Sequence, residues 1–238
     1  MKNLSAEEFI ERLKGHQSDE ELKKIQRYFK SEKGDYGEGD QFMGVRMGTV
    51  FNLAKEYIEM PVVEIGTLLD DPIHEVQAGA LSIMDKQARS KKTTPEQRQS
   101  LFDLYFTKIH RINNWDLVDL AAPFVVGGYL IDKPKDFLYN LAKSENMWER
   151  RTAMVATYYF IRNNAVADTF AIAELLLYDD QDLIHKAVGG GLRWAGSKDE
   201  AKLVDFLDRH AAKMPRTMLR YAIEHFDKPR RTYYLGLK

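Results

Sequence analysis

Six short stretches of this chain repeat one pattern, a polar or charged residue followed by small and apolar ones. They are Arg46-Met47-Gly48-Thr49, Gln77-Ala78-Gly79-Ala80, Asp119-Leu120-Ala121-Ala122, Arg151-Thr152-Ala153-Met154, Lys186-Ala187-Val188-Gly189 and Arg220-Tyr221-Ala222-Ile223. Their leading residues lie 31, 42, 32, 35 and 34 positions apart. One helix pair of an α-solenoid has this length, since such repeats run from roughly the thirties to the mid-forties. Small residues belong there because they let the inner helix of one pair approach the next, so that the stack buries a continuous core. The expected fold is all-α: an α-solenoid of about six HEAT-like helix pairs, a single domain over residues 1–238. A non-repetitive helical bundle is the competing arrangement.

Local signals agree with helices. Ser5-Ala6-Glu7-Glu8 and Ser18-Asp19-Glu20-Glu21 have capping-box form, and Thr94-Pro95 with Gln97 supplies a cap, a first-turn proline and a reciprocal amide. Apolar residues after these starts recur at helical spacing, as in Phe9, Ile10, Leu13 and Leu22, Ile25, Phe29. Val125-Val126, the nearest thing to a strand signal, lies in a longer helical pattern ahead of Gly127-Gly128.

Composition narrows the function classes. With no cysteine, the chain has no disulfide, no thiolate nucleophile and no thiolate zinc site. No apolar run approaches the roughly 18–20 residues of a membrane span, and the start Met1-Lys2-Asn3-Leu4 lacks the apolar core of a signal peptide. A cytoplasmic protein without membrane association is expected. The six histidines form no His-x-x-x-His pair and read as surface or core residues, so neither a metal nor a cofactor is expected. The net charge of −1 argues against non-specific coating of nucleic acid. Residues 86–111 and 193–238 are nevertheless net cationic. If the repeats stack, Arg46, Gln77, Asp119, Arg151, Lys186 and Arg220 form a row on a concave face. Four cations in that row suit a phosphate backbone. Asp119 repels such a ligand, and its plain reading is an ion pair with Arg151 between adjacent repeats.

Several segments resemble the AlkD-like DNA alkylation repair family. They are Gly37-Glu38-Gly39-Asp40-Gln41-Phe42-Met43-Gly44-Val45-Arg46, Asn114-Trp115-Asp116-Leu117-Val118-Asp119, Trp148-Glu149-Arg150-Arg151, Ile184-His185-Lys186-Ala187-Val188-Gly189 and the stretch Met214–Ile223. Together they cover most of the chain in the family's order. The resemblance implies a HEAT-like DNA glycosylase that excises cationic N3- or N7-alkylpurines from duplex DNA bound on its concave face. It implies Asp119 as the catalytic carboxylate and Trp115 against the sugar of the damaged nucleotide. It places Arg151 and Arg193 on phosphates near the lesion, with Arg46 and Lys186 on the same DNA-binding face. Trp115 and Asp119 are four residues apart, one turn of one helix face. Asp116 reads as a first-turn acid, Asn113 or Asn114 as the cap, and Glu38 and Asp40 as loop acids that order the start of the third helix.

One position departs from the pattern. Catalytic relatives carry a second tryptophan just after the Lys-Ala-x-Gly segment, where this chain has Gly190 within Gly189-Gly190-Gly191. Trp194 lies one turn later and reaches towards the same space or into the core. Three readings follow: an alkylpurine glycosylase, a relative that binds deformed DNA without cutting, and a protein–protein scaffold. The expected partner is alkylated duplex DNA, bound by a monomer.

Overall fold

The computed structural model describes residues 4–30 and 36–237, so Met1, Lys2 and Asn3 of the polar start lie outside the described residues. These residues form helices, with no strand among them and one isolated parallel bridge between Gln41 and Ile73. The chain gathers into two compact units, residues 1–126 and 127–238, each with its own core.

The first unit contains α1 (Ala6–Lys14), α2 (Asp19–Tyr28), α3 (Met47–Glu56), α4 (Val62–Asp70), α5 (His74–Arg89), α6 (Pro95–Thr107) and α7 (Trp115–Ala121). Ser5, Ser18 and Thr94 cap α1, α2 and α6 as the sequence predicts. Only Thr94 and Gln97 complete the reciprocal box. Glu21 instead spends its carboxylate on Arg46 (2.8 Å) and Lys24 (3.0 Å), which hold its pKa down at about 2. Alternate helices stack, α3 on α5 and α5 on α7, while α4 and α6 flank α5. The long repeat interval is accounted for by α6 and the 3₁₀ turn Ile109–Arg111 between α5 and α7.

The second unit contains the short α8 (Gly128–Leu130), α9 (Asp136–Leu141), α10 (Met147–Arg162), α11 (Ala167–Leu175), α12 (Asp182–Gly196), α13 (Glu200–His210), α14 (Arg216–Ala222) and α15 (Lys228–Gly236). Here α10 packs on α12 and α12 on α14, with α11 and α13 alongside α12. The six repeat stretches therefore fall on α3, α5, α7, α10, α12 and α14, at the start of α3, inside α5, α10 and α12 and at the end of α7 and α14; within each unit these helices stack on one another. The small residues act as the pattern suggests. A Cβ on Gly189 would sit 2.5 Å from the Met218 carbonyl oxygen and 2.5 Å from Tyr221 Cβ, so glycine is what lets α14 approach α12.

The leading residues of the repeats do not all face solvent. Gln77 is buried and donates from its amide to the Asp71 carbonyl at 2.8 Å. Arg151 is only 6% exposed and donates to the Leu183 carbonyl at 2.6 Å. Helical side chains lean towards the N-terminus of their helix. Long donors one turn into a helix thus reach carbonyls in the connection just before it, as Gln77 does, or at the start of the next stacked helix, as Arg151 does. The expected row of four outward cations is reduced accordingly.

Gly189→Ala should cost about 1–3 kcal/mol in urea denaturation, because the added methyl group meets backbone. Gly190→Ala should instead be neutral or stabilising by about 0.5–1 kcal/mol. Its Cβ would meet nothing nearer than Tyr158 Oη at 3.4 Å.

Candidate nucleic-acid interface

In the first unit the signature loop is organised by one carboxylate. Gly39 and Gly44 have φ of +91° and +82°, a backbone region that disfavours side chains and allows the loop to fold back. The turn directs three successive amides inward. Glu75 is fully buried at the start of α5 and accepts from the N–H groups of Met43 (3.1 Å), Gly44 (2.9 Å) and Val45 (3.2 Å). The same loop places Asp40 to accept from Asn114 Nδ2 at 2.7 Å. Asn114, fully buried, is the N-cap of α7, and its own Oδ1 accepts from Trp115 N at 2.8 Å. Burial raises the Asp40 pKa, and its hydrogen bond from Asn114 and the nearby His74 oppose that only in part. The loop acid Asp40 thus orders the start of α7, whereas the approach to α3 is held by Glu75.

His74 precedes Glu75 and is 2% exposed, with its ring centroid 4.6 Å from Phe29 and 5.1 Å from Phe42. Its Nε2 meets Asp116 Oδ2 at 2.8 Å. Burial disfavours the charged ring, but the Asp116 hydrogen bond and the charges of Asp116, Asp40 and Glu75 outweigh it and raise the His74 pKa above 6.5. Asp116 is therefore more than a first-turn acid. It ties α7 to α5, and its second oxygen, Oδ1, is buried with no hydrogen-bond partner.

Trp115 and Asp119 follow from this anchoring. Both lie on α7, one turn apart and half-buried. Trp115 donates from Nε1 to Tyr36 Oη at 3.2 Å, and its ring packs 6.0 Å from both Tyr28 and Phe29. Directly after α7 the backbone widens into a π-helical turn, Ala122–Gly127. Pro123 explains it: proline has no N–H for the carbonyl of Asp119, four residues earlier, so the regular ladder fails there.

In the second unit, Tyr158, Gly190, Arg193, Trp194, Ser197 and His225 line a recess of ≈ 390 Å³. The Trp194 and Tyr158 rings stand 5.7 Å apart at 77°, and both pack against Ile161, Val166 and Ala195. Trp194 is thus part of the wall and part of the core margin. Gly191 differs from its neighbour, since a Cβ there would be 2.2 Å from Met154 Cε. Arg193 is bonded to Glu224, and Lys186 to Asp182 at 2.7 Å. Arg46, with 70% of its side chain exposed, is bonded to Glu21 in the first unit. The expected phosphate-binding residues thus divide into buried Arg151 and the exposed or half-exposed, acid-paired Arg46, Lys186 and Arg193. Sequence reasoning missed His74, Glu75, Tyr36 and Tyr158. The only local hint was an acid in the first turn of α5.

These stacked helix pairs define an all-α repeat protein. A family model described as "DNA alkylation repair enzyme" matches residues 9–226, and the chain belongs to that family. Among solved structures, a "Predicted DNA alkylation repair enzyme from Enterococcus faecalis" is similar in fold. Its TM-score is 0.68 at 16% identity, covering 90% of this chain and 98% of that one. No curated protein matches. No helix among the described residues is long and apolar enough to cross a membrane.

A folded-state pKa raised above that of the unfolded chain makes the His74–Asp116 contribution to stability complete below the unfolded value, and lost as pH rises through the folded one. Urea unfolding from about pH 5.5 to about pH 8.5 should show wild type losing stability towards the alkaline side. His74→Gln should flatten that slope.

Proposed function

We propose that the chain is a DNA glycosylase that removes cationic N3- or N7-alkylated purines from duplex DNA, using its own side chains without a metal or cofactor. The observation that carries this reading is the placement of Trp115 and Asp119 one turn apart on a helix whose start is tied down by Asn114, Asp40 and the His74–Asp116 pair. Family membership supplies the DNA repair context.

The chemistry asks for little else. Alkylation leaves a positive charge on the purine. As the glycosidic bond breaks, its electron pair moves onto the base and neutralises it, while the sugar becomes an oxocarbenium ion. The Asp119 carboxylate stabilises that cation and orients the attacking water, whose proton it or solvent takes. The Trp115 ring adds cation–π attraction of roughly 0.5–2 kcal/mol. Backbone phosphates are met by cations including Lys186 and Arg193, which exchange their intramolecular acids, Asp182 and Glu224, for the DNA. Arg46 would likewise exchange Glu21. Arg151 supports this surface from within, by fixing the start of α12.

A second reading is favoured by Gly190, where catalytic relatives carry an indole: a family member that binds distorted DNA without cutting it. Release of methylated bases from alkylated duplex DNA separates the two. Wild type should release them, and Asp119→Asn should slow release by about 10²-fold or more with binding unchanged. Equal release by wild type and mutant would remove Asp119 from the chemistry. No release by wild type, with salt-sensitive binding intact, would establish the second reading.

A further inference from the structure

We propose that the recess beside Gly190 holds an unpaired nucleobase of the bound DNA. The inference rests on the chain being a DNA-binding protein and not on whether it cleaves.

The recess is a place where α12 lacks a side chain and nothing else fills the gap. Gly189 and Gly191 are occupied by their neighbours, for a Cβ on either would collide at 2.5 Å or less. Gly190 alone faces the open space, with Tyr158 Oη at 3.4 Å. A cavity of ≈ 390 Å³ falls near the lower end of the range for small-ligand sites, roughly 300–1,000 Å³. Its walls are two aromatic rings set at 77°, so that a flat guest stacks on one and meets the edge of the other. Stacking of this kind accepts any nucleobase.

The polar groups point the same way. Arg193, paired with Glu224 in the free protein, lines the recess and is placed to take the phosphate attached to the base. Tyr158 donates its hydroxyl proton to the Ala187 carbonyl at 2.8 Å, which fixes its ring as a wall of the recess. The exposed His225 supplies a second ring nitrogen at the rim. Cations for the attached backbone lie on the helices around the recess. Lys186 is four residues before Gly190 on the same face of α12, and exposed Arg220 lies on α14, which packs on α12. An aromatic-walled slot flanked by cations fits a planar base tethered to phosphates.

The test uses undamaged DNA, so that glycosylase activity does not enter. The full-length protein is titrated with a fully paired duplex and with the same duplex carrying one extra, bulged 2-aminopurine. Affinity and 2-aminopurine emission are both read. The bulged duplex should bind about tenfold more tightly, equivalent to 1.4 kcal/mol, and the bulged base should be quenched on binding as it stacks. Gly190→Leu, which fills the slot, should erase the preference and the quenching while leaving paired-duplex affinity unchanged. Circular dichroism confirms its fold. Binding of both duplexes with equal affinity and unchanged emission would overturn the inference and leave DNA binding standing. So would a preference that persists in folded Gly190→Leu. Failure to bind either duplex would overturn the DNA-binding reading and the inference with it.

Discussion

A single buried carboxylate organises the first unit. Glu75 replaces the water it has lost with three backbone amides of the loop that leads into α3. A buried charge is tolerated only when hydrogen bonds compensate its desolvation. The loop must therefore fold back tightly, and the positive φ at Gly44 makes that possible. Once the loop is held, Asp40 reaches Asn114 and fixes the cap of α7, while the adjacent His74 fixes Asp116. The positions of Trp115 and Asp119 are thus consequences of a contact made forty residues earlier in the chain.

This hierarchy explains what could be read in advance. The helices, their caps at Ser5, Ser18 and Thr94, and the stacking of alternate helices follow from local rules and a period, all of which are written in one dimension. Asn114 as a cap and Trp115 with Asp119 on one helix face were likewise legible, because spacing alone decides them. Glu75 and His74 were not. Each looks like an ordinary first-turn residue of α5, and their roles exist only after a distant loop has been brought against them. Arg151 and Gln77 were misjudged as outward-facing for a related reason. Their polarity was visible, but the carbonyls of Leu183 and Asp71 that satisfy them were not.

The two units divide the labour in different styles. In the first, polar groups are buried and interlocked, and a change in one is felt by the others. In the second, the recess lies between side chains, and the acid partners of Arg193 and Lys186 are at least half exposed. Exposed pairs exchange partners at little cost, since each is worth only about 0–1 kcal/mol. A ligand carrying phosphates can therefore engage that surface without disturbing the core beneath it.

The triple glycine has a bearing on how such a protein can change over generations. Backbone contact holds position 189 to glycine and the end of the Met154 side chain crowds position 191, whereas position 190 lies open. Drift along this run is channelled into one codon, whose product shapes the recess and touches little else. The recess can then be narrowed, filled or reopened by single substitutions, while the carboxylate and indole on α7 are inherited separately. Members of one lineage can on this basis differ in the shape of the recess and share the residues of α7.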